Sequence, residues 1–345
     1  MSKEKKIFES VNPDFRAKKG LLKSVDDYVQ GILSGNKTTL SQAITLIESS
    51  RDDHRAISEE ILEQCLAKTG QSIRIGISGV PGVGKSTFID ALGKNLISDG
   101  KKLAVLTVDP SSSRSKGSIL GDKTRMQFLS THPNAYIRPS PTAGTLGGVA
   151  KKTRETMLLC EAAGYEMIFI ETVGVGQSET AVYSMVDFFL VLMLAGAGDE
   201  LQGIKRGILE MADMIAINKA DGDNVDAAKR AKQEYQNALS LFPNQPSGWK
   251  PVVKTCSSLD GSGLEDIWSE VQSYISYTHK NGHFENQRKE QAIEWMYESI
   301  HYRLKETFYK HPAIKKSLKS IEKKVAEGTL SSFKAASELI KLFAN

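Results

Sequence analysis

The sequence predicts an α/β fold, in which a mainly parallel central sheet is flanked by helical segments at both ends of the chain. Seven short apolar runs, rich in valine, isoleucine and leucine, alternate with helical stretches between residues 73 and 255. A glycine-rich turn joins the first run to a helix, and residues before 70 and after 282 show helical periodicity alone. Continuous apolar strands separated by helices are typical of a parallel sheet covered on both faces.

The first 70 residues predict an N-terminal helical extension, because apolar side chains recur there every three or four residues. We expect Ser41 and Ser58 to be N-caps, since a serine oxygen accepts from the free amides of a first helical turn. The apolar positions are Val25, Tyr28, Val29, Ile32, Leu33, Leu40, Ile44, Ile47, Ile61, Leu62 and Leu66.

The apolar runs predict the strands themselves. The longest run, around Phe188 to Ala197, is shorter than the roughly 18 residues of a membrane span, so we expect a buried strand there and no membrane partner. The strands are expected over residues 73–78, 103–108, 135–138, 167–171, 188–194, 214–218 and 252–255.

The C-terminal segment predicts three further helices, over about 284–309, from Pro312 to Gly328, and over about 331–343. Proline at a helix start and glycine just past a helix end are the usual boundary residues. The first of these helices carries an apolar stripe that is compatible with ordinary packing. Because the region lies outside the sheet, we interpret the stripe as a homodimer contact. Its residues are Trp295, Met296, Tyr297, Ile300, Leu304 and Phe308.

The glycine-rich turn fits the phosphate-binding pattern G-x-x-x-x-G-K-[ST] in its required context of strand, loop and helix. Backbone amides of such a loop, together with the amino end of the helix, hold phosphate oxygens. We expect Lys85 to reach the β- and γ-phosphates and Ser86 to bind Mg²⁺. The loop residues expected to bind the nucleotide are Gly79, Val80, Pro81, Gly82, Val83, Gly84, Lys85, Ser86 and Thr87.

A second motif, N-K-x-D, predicts guanine as the base. Asn218, Lys219 and Asp221 follow a predicted strand. An aspartate carboxylate can accept from both N1–H and the exocyclic amine of guanine, a pair that adenine lacks, so the discrimination can be large. The loop after the last strand, with Ser257, Ser258 and Leu259, is expected to pack under the base of GTP or GDP.

Carboxylates at strand ends predict the remaining Mg²⁺ ligands, because Mg²⁺ prefers oxygen ligands. Glu171 ends a buried strand, Asp109 ends an earlier one, and Asp122 lies in a glycine-containing loop. The backbone amide of Gly174 is expected to sense the γ-phosphate.

Hydrolysis is expected to depend on charge neutralisation by Lys85 and on a positioned water. Asp109 or Glu171 acting through water is favoured as the positioning group. Gln177 is less favoured, because it follows Gly174 by three residues instead of one. No arginine stands out as a transition-state group, so we predict slow intrinsic turnover, typical of a timer.

Three segments, 111–126, 173–180 and 195–206, are predicted to sense the nucleotide state. Each begins at a strand end and mixes glycine with charged residues, where functional loops usually lie. In the third segment, Asp199 and Lys205 are expected to relay that state to a partner protein.

The overall composition excludes several classes of protein. With 45 Lys and Arg against 41 Asp and Glu, the net charge of +4 is too small to indicate a nucleic-acid partner. Cys65, Cys160 and Cys256 lie far apart, as core residues of a reducing compartment do. The first residues lack an apolar signal core and carry early acids, so a cytoplasmic location is expected.

Taken together, these segments resemble the methylmalonyl-CoA mutase-associated GTPase family, one of the P-loop GTPase families that act as metal and cofactor chaperones. The same family carries an older label as arginine/lysine/ornithine transport ATPases. The similarity covers nearly the whole chain. It is most specific in the phosphate loop, VDPSS (108–112), ILGDKTRM (119–126), ETVGVGQSE (171–179), GDELQGIKRG (198–207) and NKAD (218–221).

The resemblance implies a Mg²⁺-dependent GTPase that acts as a chaperone for adenosylcobalamin-dependent methylmalonyl-CoA mutase. It would gate cofactor loading and protect or reactivate the mutase, and it would form a homodimer through its C-terminal helices. The corresponding division is an N-terminal helical extension (1–70), a P-loop GTPase domain (71–280) and a C-terminal helical dimerisation region (281–345).

Three alternatives stay open at the level of sequence. A metal-insertion GTPase for nickel or cobalt usually carries Cys/His clusters, whereas His132, His279 and His283 are isolated from cysteine. An amino-acid transport-associated ATPase or kinase would not need the guanine-reading motif. A pure interaction scaffold would not need Lys85 and Ser86. The relative affinities for GTP and ATP distinguish a metal-insertion GTPase from a transport-associated ATPase or kinase.

Overall fold

The computed structural model describes residues 22–108, 125–139, 146–172, 178–196 and 206–344. None of the helices in these ranges has both the length and the apolar character that crossing a bilayer requires. All seven predicted strands are confirmed, and three extend one residue further at their carboxyl ends. The strands are β1 (Ile73–Gly79), β2 (Leu103–Val108), β3 (Ala135–Pro139), β4 (Met167–Thr172), β5 (Phe188–Leu194), β6 (Met214–Asn218) and β7 (Val252–Thr255).

Helices precede, connect and follow these strands. Short 3₁₀ turns add Leu66–Lys68 and Gly222–Asn224. The helices are α1 (Val25–Leu33), α2 (Lys37–Glu48), α3 (Asp52–Cys65), α4 (Lys85–Ser98), α5 (Gln127–Thr131), α6 (Leu146–Ala162), α7 (Ser178–Tyr183), α8 (Arg206–Met211), α9 (Val225–Leu239), α10 (Leu264–Lys280), α11 (His283–Lys310), α12 (Pro312–Ala326) and α13 (Ser332–Ala344).

The seven strands form one sheet in the order β3-β2-β4-β1-β5-β6-β7, and every neighbouring pair is parallel. The strand that precedes the glycine-rich turn, β1, is therefore central, with β4 on one side and β5 on the other. In the register, Ile75 lies beside Phe169 of β4 and Phe188 of β5. Since the strands are parallel, the loops after β1, β4, β6 and β7 all open at one carboxyl edge.

The sheet is buried on both faces, as its continuous apolar strands predict. On one face, side chains such as Ile170 and Phe189 pack with the N-terminal helices, α6 and α9. On the other face, side chains such as Ile77, Phe169 and Leu190 pack with α4 and α10. Burial of each large apolar side chain stabilises the fold by roughly 1.5–3 kcal/mol. Cys65, Cys160 and Cys256 are free and buried.

The predicted N-caps are wrong. Ser24 caps α1 in a reciprocal capping box, and the Asn36 side chain caps α2. Ser41 and Ser58 lie inside α2 and α3, whose first residues are Lys37 and Asp52, whereas an N-cap must precede the first turn. Ser41 Oγ instead shares a hydrogen bond of 3.1 Å with the Tyr136 hydroxyl of β3.

The Arg288 clamp fastens α11 to the amino edge of the sheet. Arg288 Nε and Nη2 donate to Asp187 Oδ1 and Oδ2 over 2.8 and 2.6 Å, and the guanidinium also donates to the carbonyls of Gly70 and Ser72. The Asp187 side chain is 1% exposed, and it also accepts from the backbone N–H of Arg74. One guanidinium thus joins the C-terminal helices to two segments of the sheet domain.

A second set of contacts follows the same helix. Gln291 Nε2 donates to the Val186 carbonyl over 2.9 Å, and Trp295 Nε1 donates to the Ser184 carbonyl over 3.1 Å. The predicted apolar stripe is thus divided, because Trp295 packs on the sheet domain whereas Tyr297 is 55% exposed. Also exposed are Met296, Ile300 and Leu304.

Candidate functional site

The phosphate loop requires glycine for steric reasons at its first and last glycines. Gly79 has φ +147°, and a Cβ atom there would lie 2.2 Å from the Leu192 carbonyl oxygen of β5. Gly84, the N-cap of α4, has φ +93°, and its Cβ would lie 3.1 Å from Asn218 Nδ2. The backbone of β5 thus leaves no room for a side chain at Gly79, and at Gly84 the left-handed φ favours glycine.

Lys85 begins α4 and folds back over the loop. Its Nζ donates to the Gly79 carbonyl over 2.9 Å and to the Val80 carbonyl over 3.4 Å. Burial lowers the pKa of Lys85, while the carboxylates of Glu171 and Glu179 act to raise it. A phosphate oxygen would be a stronger acceptor than these carbonyls for a charged donor.

Ser86 and Glu171 meet beneath the loop. Ser86 Oγ donates to Glu171 Oε1 over 3.1 Å, and both residues are buried. The next residue of β4, Thr172, donates from Oγ1 to Ser78 Oγ of β1 over 2.9 Å, which fixes the ends of the two strands together. A hydroxyl and a carboxylate oxygen are ligands of the kind that Mg²⁺ prefers, so the chemistry of this pair fits the ion.

The N-K-x-D motif contacts the phosphate loop directly. Asn218, at the end of β6, is 1% exposed, and its Nδ2 donates to the Val83 carbonyl over 2.8 Å. Lys219 Nζ donates to the Gly82 carbonyl over 2.9 Å. Lys219 also has φ +60°, a conformation that few residues other than glycine adopt, and its own carbonyl accepts from Asn224 Nδ2. The structure therefore joins the two predicted motifs into one site.

The loop after β7 completes this edge. Ser258 donates to Asn218 Oδ1 from its backbone N–H over 3.1 Å and from its hydroxyl over 2.9 Å. The Ser257 hydroxyl donates to Asp221 Oδ2, which orients the carboxylate expected to read the base. Leu259 is 84% exposed, so its side chain is free to cover a planar ligand. Both serines were predicted for this loop, and the structure places them against the motif.

Several predicted residues lie outside the described part of the chain. Their roles stay predictions, as do the roles of the predicted residues that the structure places. They are Asp109, Asp122, Gly174, Gln177, Asp199 and Lys205.

The sequence reasoning assigned no role to Glu179, which the structure buries at the start of α7. A signal was available, because the residue ends the segment ETVGVGQSE that follows the predicted Mg²⁺ ligand Glu171. Asp90 of α4 was also missed. Its carboxylate accepts from the backbone amides of Phe128 and Leu129 over 3.2 and 2.9 Å, and so fixes the first turn of α5 to the phosphate-loop helix.

A separate cavity of about 710 Å³ lies at the opposite, amino edge of the sheet, between the sheet domain and α11. None of the residues predicted to bind nucleotide lines this cavity. We therefore place the candidate nucleotide site at the phosphate loop, where the two predicted motifs contact each other. Within the described ranges, no group of three or more His, Cys, Asp or Glu side chains could hold a metal ion. The cavity lining includes Arg154, Ser184, Asp213, Tyr274, Gln291 and Glu294.

Comparison with known proteins shows which families and relatives the chain is similar to. The family model described as "Methylmalonyl Co-A mutase-associated GTPase MeaB" matches residues 40–313. A probable GTPase of Mycobacterium tuberculosis is 46% identical over 319 residues, which cover 92% of this chain and 95% of the relative. The mouse "Methylmalonic aciduria type A homolog, mitochondrial" is 45% identical over 329 residues, covering 92% of this chain and 79% of the relative.

A solved structure shows the same fold over almost the whole chain. It is titled "Crystal structure of LAO/AO transport system kinase" and superposes with a TM-score of 0.72 at 34% identity. The superposition covers 94% of this chain and all of that one. The predicted P-loop α/β fold is therefore confirmed.

Proposed function

The chain belongs to the methylmalonyl-CoA mutase-associated GTPase family and is a GTPase, and from this premise we propose that it is a Mg²⁺-dependent chaperone of an adenosylcobalamin-dependent methylmalonyl-CoA mutase. In this role it gates cofactor loading and protects or reactivates the mutase. One observation carries the proposal: the phosphate loop and the guanine-reading motif form a connected site in a chain that matches this family over residues 40–313. The name of the mouse relative adds support.

In the proposed site, the nucleotide spans the carboxyl edge of the sheet. Loop residues 79–87 hold the phosphates, and Lys85 moves its hydrogen bonds from loop carbonyls to the β- and γ-phosphates. Asp221, oriented by Ser257, reads guanine. Asn218 fixes the spacing between base and phosphates, because it bonds both the phosphate loop and Ser258.

Ser86 and Glu171 are proposed to hold Mg²⁺, either directly or through water, with Asp109 and Asp122 completing the set. When bound, the ion neutralises charge on the β- and γ-phosphates. Lys85 supplies further positive charge.

The response to nucleotide is proposed to begin after β4. Glu171 is the second-last residue of β4, and Gly174, whose amide would sense the γ-phosphate, lies between β4 and α7. Asp199 and Lys205 are proposed to carry the signal to the mutase.

The function is tested by measuring GTP turnover of the purified chain with and without a cobalamin-dependent acyl-CoA mutase. We expect turnover to rise with the mutase, and transfer of adenosylcobalamin, followed by its absorbance, to depend on GTP. Lys85→Ala is the control that should abolish both effects. Unchanged turnover together with unchanged cofactor transfer at saturating mutase would contradict the chaperone role while leaving the GTPase activity intact.

We also propose that the chain is a homodimer formed through the C-terminal helices. The exposed apolar residues of α11 support this, since an apolar stripe of this length is typical of a protein contact. Light scattering after size exclusion should report a dimer at micromolar concentration, and Leu304→Glu should shift it to a monomer. A monomeric parent chain would refute the dimer.

A further inference from the structure

We propose that Glu179 is a catalytic residue of GTP hydrolysis, whose carboxylate accepts a hydrogen bond from the attacking water and aligns it with the γ-phosphate. The proposal rests on the nucleotide site proposed above and does not depend on the mutase partner. Glu179 is the second residue of α7, which follows β4 after residues 173–177. Its first turn therefore lies at the carboxyl edge of the sheet, where the phosphate loop also opens.

Glu179 is buried in an unusual way for a carboxylate. The residue is 4% exposed, and its Oε2 has no hydrogen-bond partner among the residues that the structure describes. Leaving a buried acceptor without a hydrogen bond costs about 1–3 kcal/mol, and more when the group is charged. Buried polar groups without a partner are rare in folded proteins, and a catalytic role is one of the few explanations for them.

The neighbours of Glu179 identify the chemistry. Its carboxylate and that of Glu171 are the two negative charges that oppose the effect of burial on Lys85. Glu171 already accepts from Ser86, so it belongs to the proposed Mg²⁺ site. Lys85 Nζ donates to the loop carbonyls of Gly79 and Val80, so Glu179 acts on the ammonium through space and not through one of these hydrogen bonds.

This arrangement separates two carboxylates by role. Glu171 serves the metal beneath the phosphate loop, while Glu179 stands on the first turn of a different element, near the lysine that would bind the γ-phosphate. An acceptor next to the γ-phosphate can take a hydrogen bond from water but not from the phosphate oxygens, which are themselves acceptors. Glu179 is therefore suited to orient water.

In the step itself, the water oxygen bonds to the γ-phosphorus while the bond from that phosphorus to the β–γ bridging oxygen breaks. GDP keeps the electron pair of the broken bond. One water proton stays on the attacking oxygen and the other moves to an oxygen of the same phosphate, so the product is H2PO4−. Glu179 holds the water in line during this displacement and forms no covalent bond. Positioning of this kind, with charge neutralisation, accounts for most of the catalysis of phosphoryl transfer.

The test is single-turnover hydrolysis of Mg²⁺–GTP by an excess of the full chain, with calorimetric affinities for GDP and a non-hydrolysable GTP analogue. We expect Glu179→Gln, which keeps the shape but loses the negative charge, to lower the rate constant by about 100-fold. Both affinities should stay within about threefold of the parent, because binding and chemistry are separate contributions.

A matched control is Asp213→Asn. Asp213 is a fully buried carboxyl at the amino edge of the sheet, and burial raises its pKa to about 8, so it is neutral at pH 7 and the amide preserves its charge. This variant should hydrolyse GTP at the parental rate. A loss of rate in Glu179→Gln alone then cannot be attributed to the removal of just any buried carboxyl group.

Two outcomes would overturn the proposal. One is a parental single-turnover rate in Glu179→Gln. The other is a joint fall in both affinities with an unchanged rate at saturating nucleotide, which would make Glu179 a support for Lys85 alone. If Glu179→Gln does not unfold cooperatively, Glu179→Asp replaces it. Withdrawing the carboxylate by one methylene should lower the rate by about tenfold, and a parental rate for this variant would equally refute the role.

Discussion

Replacement of Arg288 by methionine tests whether the Arg288 clamp determines how firmly the C-terminal helices are held. The variant keeps most of the aliphatic stem but removes both hydrogen bonds to Asp187 and those to the Gly70 and Ser72 carbonyls. It leaves a carboxylate that is 1% exposed without its cation.

The magnitude follows from this burial. Breaking a buried ion pair by removing one partner costs about 3–5 kcal/mol. The Arg288 side chain retains 13% exposure and Asp187 keeps the backbone N–H of Arg74 as a donor, so we expect the lower end, about 3 kcal/mol. Adding Asp187→Asn should recover part of the loss, since the stranded charge is then absent.

The assay is urea unfolding, monitored by tryptophan fluorescence. Trp295 reports on the contact because it lies on the same helix as Arg288 and packs against the sheet domain. Lys101→Met is the control: it removes the exposed ion pair with Glu166 and should cost less than about 1 kcal/mol. A loss in Arg288→Met no larger than in this control would show that the clamp contributes no more than a surface pair.

Three further predictions concern single residues. Asp221→Asn should weaken GTP binding and improve binding of xanthosine triphosphate, whose second carbonyl can accept from the amide; calorimetry with both nucleotides would refute this if GTP still bound better by the parental margin. Gly79→Ala should destabilise the chain far more than Gly100→Ala in thermal melts, because its Cβ would meet the Leu192 carbonyl at 2.2 Å whereas Gly100 has open space and only the left-handed φ to accommodate. Asp213, with its pKa raised to about 8, keeps in the fold a proton that the unfolded chain loses near pH 4, so its contribution to stability falls as the pH rises from about 4 to 8. The melting temperature of Asp213→Asn relative to the parent should therefore rise between pH 5 and pH 8. A difference that stays constant over this pH range would contradict the prediction.

Local sequence pattern was sufficient to predict the sheet and the strand, loop and helix around the phosphate-loop motif. The strand positions were predicted correctly because a parallel sheet buried on both faces requires continuous apolar runs. The bounds of β2, β5, β6 and β7 are those predicted. The phosphate loop and the N-K-x-D motif are recognisable from short patterns, although the contacts that constrain them are distant: the Leu192 carbonyl lies beside Gly79, and Asn218 bonds the phosphate loop. Their binding roles stay predictions.

Features set by distant contacts were not predictable in this way. Arg288 and Asp187 lie 101 residues apart, and nothing in the neighbourhood of either indicates the other. Glu179 lies in the segment 173–180 that the sequence predicts to sense the nucleotide state, and its neighbours in sequence do not indicate that the residue is buried. Ser41 was mistaken for a cap because cap chemistry at a helix start resembles a serine that bonds across to another element, here Tyr136.

The strand order has a consequence for synthesis on the ribosome. The central strand β1 leaves the exit tunnel long before either of its neighbours, β4 and β5, exists to pair with it. About 90 further residues must be translated first, which takes roughly 5–20 s at bacterial and eukaryotic elongation speeds. Throughout that interval an apolar segment with unpaired amides is open to association with other nascent chains. Cotranslational chaperones are therefore expected to matter most for this protein between the emergence of its phosphate loop and that of its fourth strand.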